Sequence, residues 1–356
     1  MEYSFTAGFE SDGLAALAAG LEGVLRARGH TRSEASAGDV VFHAFASSAP
    51  RSYRRGAAAV FVAGVTELEV AGEPLSVLYP VLVRSLSNVV LALSPGAAPV
   101  LHMVTPEKGH VVFDAARLDD SFFASVYDRL EPLATSRLVI ENIFTPDLEA
   151  SLREGDARTE AIARAGRMLA ELDLMPAPFP IEELLSAREL RHLKKLYGIG
   201  GLSYGNFSAR LDERRFWMSA SGVDKSALRT VGRDFLLVTG YDAERNAMCL
   251  SVPADVEPRR VSVDAIEHWL IYRENPEVGA ILHVHAWLDG VPSTELTYPC
   301  GTYELGRAVA DLVQHAPDPG RAIVGLRNHG LTITGSSMDE ILERVRGRLV
   351  RNVPMY

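Results

Sequence analysis

The sequence holds ten histidines, and three of them stand where they could do chemistry. Two lie in Ala280-Ile281-Leu282-His283-Val284-His285. Ile281, Leu282 and Val284 favour a strand, and on a strand residues i and i+2 project from one face. His283 and His285 therefore present two imidazoles side by side. That spacing suits two positions of a metal's coordination shell, with metal–nitrogen bonds of about 2.0–2.1 Å for zinc. Alone, the pair also reads as one core and one surface histidine. A third histidine, His329, ends another strand pattern, Arg321–Leu326, and enters a tight turn through Arg327-Asn328-His329-Gly330. Two further segments have the composition of anion-binding turns. One is Tyr204-Gly205-Asn206-Phe207-Ser208. The other is the turn Ser219-Ala220-Ser221-Gly222-Val223-Asp224-Lys225, entered by a strand at Arg215–Ser219. Glycine and small hydroxyl residues let backbone N–H groups approach a phosphate or carboxylate. Either turn alone also reads as ordinary loop chemistry.

The elements that must position these residues are strands alternating with helices. A helix over Asp264–Glu274 precedes the histidine pair and ends in a turn at Asn275–Pro276. Upstream, a helix over Ala157–Asp173 is followed by the Pro-rich break Met175–Pro180. A second helix, Ile181–Leu196, then leads into the glycine-rich stretch Gly198–Gly205. The charged stretch 145–160 reads as a linker and divides the chain into residues 1–150 and 151–356. Helical periodicity marks Gly13–Arg28, Pro74–Leu86 and Phe122–Thr135 in the first half. Strand patterns mark Asp39–Ala46, Ala57–Val65, Asn88–Leu93, Pro99–Val104, His110–Asp114 and Arg137–Ile143. This reads as a separate α+β domain with hairpins and no catalytic motif. His43, His102 and His110 lack ligand spacing and read as packing or surface residues.

Composition bounds the rest. A chain of 356 residues with 47% hydrophobic content can build two globular domains. A net charge of −10 argues against nucleic acid or an anionic membrane as the main partner. A small anionic substrate needs only a local pocket of donors. Two cysteines, Cys249 and Cys300, in no CxxC pair, fit a reducing cytoplasm. Leu14–Leu21 has Glu10 and Asp12 just upstream and reads as an amphipathic helix, not a secretory leader. No apolar run approaches the roughly 20 residues of a membrane span.

Taken in order, the motifs GNxS, SxSG, a helix closing in a Pro-containing turn, HxH and NHG resemble the class II aldolase/adducin family across residues 183–346. The resemblance implies an αβα sandwich around a mainly antiparallel sheet and a homo-oligomer, usually a tetramer. It implies that His283, His285 and His329 bind one divalent metal, zinc in the first place, with Fe2+, Mn2+ or Co2+ as alternatives. It matches Gly205, Asn206, Ser221 and Gly222 to anion-binding positions. Nineteen positions before His283 stands Asp264, where the family's aldolases carry an acid/base glutamate and its ribulose-phosphate epimerases an aspartate. Asp264 is the implied catalytic proton shuttle, and equally a favoured helix N-cap. His268, one turn on, reads as packing or as support for the site.

The implied activity is that of a metal-dependent lyase or epimerase acting through an enediolate of a small hydroxy-carbonyl compound. A decarboxylase, or an Fe(II) oxygenase using His283, His285 and Asp264, is the alternative on this scaffold. A non-enzymatic adducin-like module is a further one, against which the three retained histidines stand. His329 follows His285 by 44 positions, a shorter interval than in the sugar-phosphate aldolases. The family's catalytic tyrosine has no clear counterpart, with Tyr298 and Tyr303 nearby, and Val263 stands where a phosphate-binding serine often occurs.

Overall fold

The computed structural model describes residues 1–33, 38–53, 60–106, 109–171, 183–191, 205–351 and 353–354. The Pro-rich break, both ends of the expected helix at Ile181–Leu196 and the glycine-rich stretch before Gly205 lie outside the described residues. The described residues fall into two compact units. One comprises Met1–Thr135 with the described part of Ile181–Tyr197; the other comprises the described parts of Ser136–Pro180 and Gly198–Pro354.

In the first unit the elements run β1 (Glu2–Phe5), α1 (Asp12–Ala27), β2 (Thr31–Arg32), β3 (Val40–Ala44), β4 (Phe61–Glu67), α2 (Pro74–Ser85), β5 (Val89–Ser94), β6 (Val100–Val104), β7 (His110–Asp114) and α3 (Asp120–Thr135). The strands pair in the order β2-β1-β3-β4-β5-β6-β7. The expected α+β pattern with hairpins holds over β5, β6 and β7, and the rest of the sheet departs from it. Pairings β1–β2, β1–β3, β3–β4 and β4–β5 are parallel, and only β5–β6 and β6–β7 are antiparallel. Parallel neighbours need a crossover that returns the chain to the same end of the sheet. Between β1 and β2 and between β4 and β5 that crossover is a helix. In α1, Leu14, Leu17, Leu21 and Leu25 recur at helical spacing and are buried. They join Tyr3, Phe42, Val65, Leu91 and the α3 residues Phe123, Val126 and Leu130 in one core.

The second unit contains β8 (Glu141–Thr145), α4 (Ala157–Ala170), β9 (Gly205–Arg210), β10 (Phe216–Ser219), β11 (Phe235–Asp242), β12 (Ala247–Ser251), α5 (Ala265–Glu274), β13 (Ala280–Val284), α6 (Tyr303–Gln314), β14 (Ile323–Leu326), β15 (Gly330–Gly335) and α7 (Met338–Val345). Its sheet has the order β14-β15-β13-β9-β10-β11-β12-β8. Every pairing is antiparallel except β8 with β12. The strand expected at Arg137–Ile143 is found at Glu141–Thr145, as the parallel edge of this second sheet. Gly205–Arg210, whose first residues have the composition of a turn, is a central strand between β13 and β10. Its Phe207 and Ala209 alternate with Asn206 and Ser208, and all four are buried.

Helices cover both faces. His283 is register-paired with Asn206 and Thr332, so these three side chains share one face. On that face lies α5, whose His268 and Glu267 bond to Ser208 and Thr332. Helix α6 packs on α5. The opposite face carries Ala280 and Leu282, and against it lies α7, whose Ile341 sits over Gly335, the partner of Ala280. Helix α4 packs on α7 and on β9. The result is an αβα sandwich around a mainly antiparallel sheet. Among the described residues no helix is long and apolar enough to cross a membrane.

Candidate metal centre

The three histidines converge. His283 and His285 project from the end of β13, and His329 comes from the turn between β14 and β15. Their ring centroids stand 5.3, 4.9 and 5.1 Å apart, and one ligand nitrogen from each lies within 4.8 Å of the other two. Two glycines make this closure possible. A Cβ on Gly205 would meet the His283 carbonyl oxygen at 2.1 Å, and one on Gly330 would meet the Val284 carbonyl oxygen at 2.3 Å. Only glycine lets β9 and β15 begin so close to the end of β13. Asn328, one residue before His329, takes a left-handed φ of 59°, a conformation asparagine tolerates better than most residues.

The donor set fits a divalent cation. His283 is fully buried and His329 is 7% exposed, yet both nitrogens of His283 and Nδ1 of His329 meet no hydrogen-bond partner. Buried polar atoms left in that state are costly unless a ligand satisfies them. Burial, and then the neighbouring imidazoles, hold both side chains well below the usual histidine range. They are therefore neutral at neutral pH, the form that binds metal.

Asp264 occupies the N-cap position of α5, but its side chain does not cap the helix. Its Oδ2 accepts from Asn206 Nδ2 at 2.6 Å and its Oδ1 from Cys300 Sγ at 3.2 Å. Asn206, expected at the anion, is buried and spends its amide on Asp264. His268 is fully buried, with Nδ1 2.7 Å from Ser208 Oγ, and burial lowers its pKa to about 4. Tyr303, one candidate for a catalytic tyrosine, stacks on Tyr241 at 6.0 Å with the Arg137 guanidinium 4.5 Å from its ring. It is held by structure. Tyr298 is partly exposed, and burial raises its pKa. Val263 packs against Gly301.

Ser221 and Gly222 form an exposed turn after β10, with Gly222 at φ 65° and the Ser221 N–H donating to the Arg260 carbonyl at 2.9 Å. Beneath it lies a residue with no signal in the sequence, Lys225. Its Nζ is buried and donates to the Ala220 carbonyl. Burial lowers its pKa from 10.5 to about 8, with the charges of Asp264 and Asp234 acting against the shift. Between pH 8 and 10.5 the unfolded chain therefore binds more protons at this position than the folded one, so stability rises with pH in that window. The wild type should accordingly gain on Lys225→Met by roughly 1–3 kcal/mol between pH 7.5 and 10, read by urea unfolding. A constant difference across that window would show that Lys225 is not buried as a charge. Glu267 is equally silent in the sequence. It is 1% exposed, and burial, followed by the charge of Asp264, pushes its pKa well above the carboxylate range.

An αβα sandwich with three converging imidazoles at the end of its central strands offers a donor set suited to a divalent metal. A model of the class II aldolase and adducin N-terminal domain matches residues 187–288. A methylthioribulose-1-phosphate dehydratase from Cronobacter sakazakii is 30% identical over 166 residues, covering 38% of this chain and 78% of the relative. One from Pectobacterium atrosepticum is 35% identical over 125 residues, but the match spans 50% of that relative's length and 35% of this chain. Among solved structures, L-fuculose-1-phosphate aldolase from Thermus thermophilus aligns at 19% identity and a TM-score of 0.33, over 53% of this chain and 87% of that one. The chain belongs to the class II aldolase and adducin family.

Proposed function

We propose that the chain is a metal-dependent lyase that removes water from a small phosphorylated hydroxy-ketone. The observation that carries this reading is the convergence of His283, His285 and His329, with unsatisfied nitrogens on His283 and His329. The same three residues hold the metal in this proposal. When bound, a divalent cation supplies Lewis-acid polarisation of a substrate carbonyl. Zinc suits three imidazoles best, with ferrous iron, manganese and cobalt as the other candidates.

The chain's own residues do the rest. Asp264 takes the proton from the carbon beside the carbonyl; its carboxylate is held in orientation by Asn206 and Cys300. Expulsion of a hydroxyl from the next carbon, with one proton, then yields water and the dehydrated ketone. Ser221 and Gly222 form the exposed turn that would hold the phosphate, and Lys225 fixes that turn from beneath. Dehydration is favoured over aldol cleavage because the relatives at 30% and 35% identity are named as dehydratases.

The test is direct. Zinc-loaded protein is incubated with 5-methylthioribulose 1-phosphate, and the products are followed by NMR. Release of water with formation of the diketone is the expected result. Cleavage to two carbon fragments would assign an aldolase. An unchanged substrate with each of the four metals in turn would remove the dehydratase reading.

A further inference from the structure

We propose that Glu267 is the outer partner of the metal centre, a positioning residue whose carboxylate supports His283 as a ligand and supplies negative charge beside the cation. This rests on the metal reading above and goes beyond it.

The starting point is a carboxyl group that the protein alone does not explain. Glu267 is 1% exposed, and side chains of this type are almost never so deeply buried without a cationic partner. Its one side-chain hydrogen bond among the described residues comes from Thr332 Oγ1 to Oε1 at 2.5 Å. The other oxygen, Oε2, is buried and has no partner. The charge that acts on it is that of Asp264, which has the same sign.

The register of the sheet says where this carboxyl stands. His283 has two direct cross-strand partners, Asn206 on β9 and Thr332 on β15. Directly paired residues carry their Cβ atoms about 4.5–5.5 Å apart. Asn206 holds Asp264, and Thr332 holds Glu267. The two acids sit three positions apart at the start of α5, and the sheet receives them on either side of the same histidine. Asp264 already has donors at both oxygens. Glu267 has an oxygen to spare.

His283 has the complementary shortage. Neither of its nitrogens makes a well-formed hydrogen bond. The Leu331 backbone makes only a weak hydrogen-bonding interaction with the ring, the smallest of the influences felt there. Once one nitrogen takes a cation, the other carries a proton that needs an acceptor. Ligating histidines almost always give that proton to a carboxylate, a backbone carbonyl or water, which fixes the ring and raises its basicity. Glu267 Oε2 is an unsatisfied acceptor one cross-strand pair away. A dication bound by three neutral imidazoles would also provide the countercharge that Glu267 otherwise lacks. Neither acid belongs to the cluster of mutually close ligand atoms, so the role is support and not direct ligation.

Glu267→Gln keeps the volume and the Thr332 bond while removing the charge. The full chain is stripped of metal, and zinc affinity is measured by competition with a chromophoric chelator; melting is recorded with and without zinc. The metal-free variant should melt at or above the wild-type temperature, because a buried, uncompensated acid has gone. Its zinc affinity should fall by roughly 10–100-fold, the usual effect of losing such a partner, and zinc should raise its melting temperature less. A purely structural role would lower the metal-free melting temperature and leave zinc affinity alone. Thr332→Val, which frees Oε1 and leaves both His283 and Glu267 in place, should weaken zinc by a smaller factor. Wild-type zinc affinity in folded Glu267→Gln, or in folded Thr332→Val should the first variant not fold, overturns the proposal. A wild-type chain that takes up no zinc overturns instead the metal reading beneath it.

Discussion

His283→Ala should abolish zinc binding and turnover together, and His329→Ala should do the same, with the seven-stranded sheet of the first unit left folded. Each change leaves two imidazoles where a catalytic zinc site needs three protein ligands. The loss of affinity should therefore exceed the ~10–100-fold attributed to an outer partner. The effect on the metal-free protein is smaller, for a reason specific to this site. His283 is fully buried with both nitrogens unpartnered, so removing it creates a cavity but also deletes two unsatisfied polar atoms. The metal-free variants should melt near the wild type. What should disappear is the zinc-dependent rise in melting temperature. For the wild type at a free zinc concentration of ~100 Kd, that rise corresponds to about 2.7 kcal/mol. Elemental analysis and melting curves with and without zinc measure both. One equivalent of zinc retained by either variant would show that the three rings do not share an ion.

Much of this site was legible because its geometry is local. Strand alternation alone puts His283 and His285 on one face, and the Gly330 that follows His329 marks the close approach that carries that ring to the other two. Asp264 was legible only through the family resemblance, at its spacing from His283, and not by its bonds. A helix N-cap was an equal expectation, and the structure turns its side chain to Asn206 and Cys300 instead. Lys225 and Glu267 were not legible. A lysine after a turn and a glutamate in a helix carry the pattern of solvated surface, and burial at 1% each is decided by packing with residues far away in sequence. The pairing of His102 with His110, 3.0 Å apart across the β6–β7 hairpin, was hidden for a different reason, since it depends on the register of that hairpin.

The fold divides along the same line. Helix α1 follows from its leucine spacing, and β3 to β7 fall within a few residues of their sequence patterns. The hand of pairing did not follow. The parallel β3–β4 contact joins strands whose connection leaves no mark in either strand. Strand β9 reads as a turn in the sequence because glycine, asparagine and serine are turn formers. Here those small residues are what the centre of the sheet requires, since a side chain at Gly205 would collide with the His283 backbone. Strand β8 lies before residue 150 yet completes the second sheet through its parallel pairing with β12.

Asp264→Asn separates metal binding from chemistry. Asp264 is outside the group of mutually close ligand atoms, so the variant should bind zinc with wild-type affinity. The local structure should also survive. Asn206 now donates through Nδ2 to Asp264, while its own Oδ1 is buried and unpartnered. A half-turn of the Asn206 amide would present that oxygen to the new side-chain NH2 and restore the bond. The variant therefore keeps shape and hydrogen bonding but loses the group that takes the proton. Removal of a general base typically costs 10²–10⁴-fold in rate, and turnover should fall by about that factor. Exchange of the substrate's carbon-bound hydrogen with solvent deuterium should fall in parallel, because the same step governs both. Thr and Ser are poorer controls here, since they would also break the bond to Asn206. Turnover and exchange at wild-type rates in a zinc-loaded Asp264→Asn protein would reduce Asp264 to the residue that begins α5, and the proton acceptor would then have to be sought among the other side chains on the His283 face.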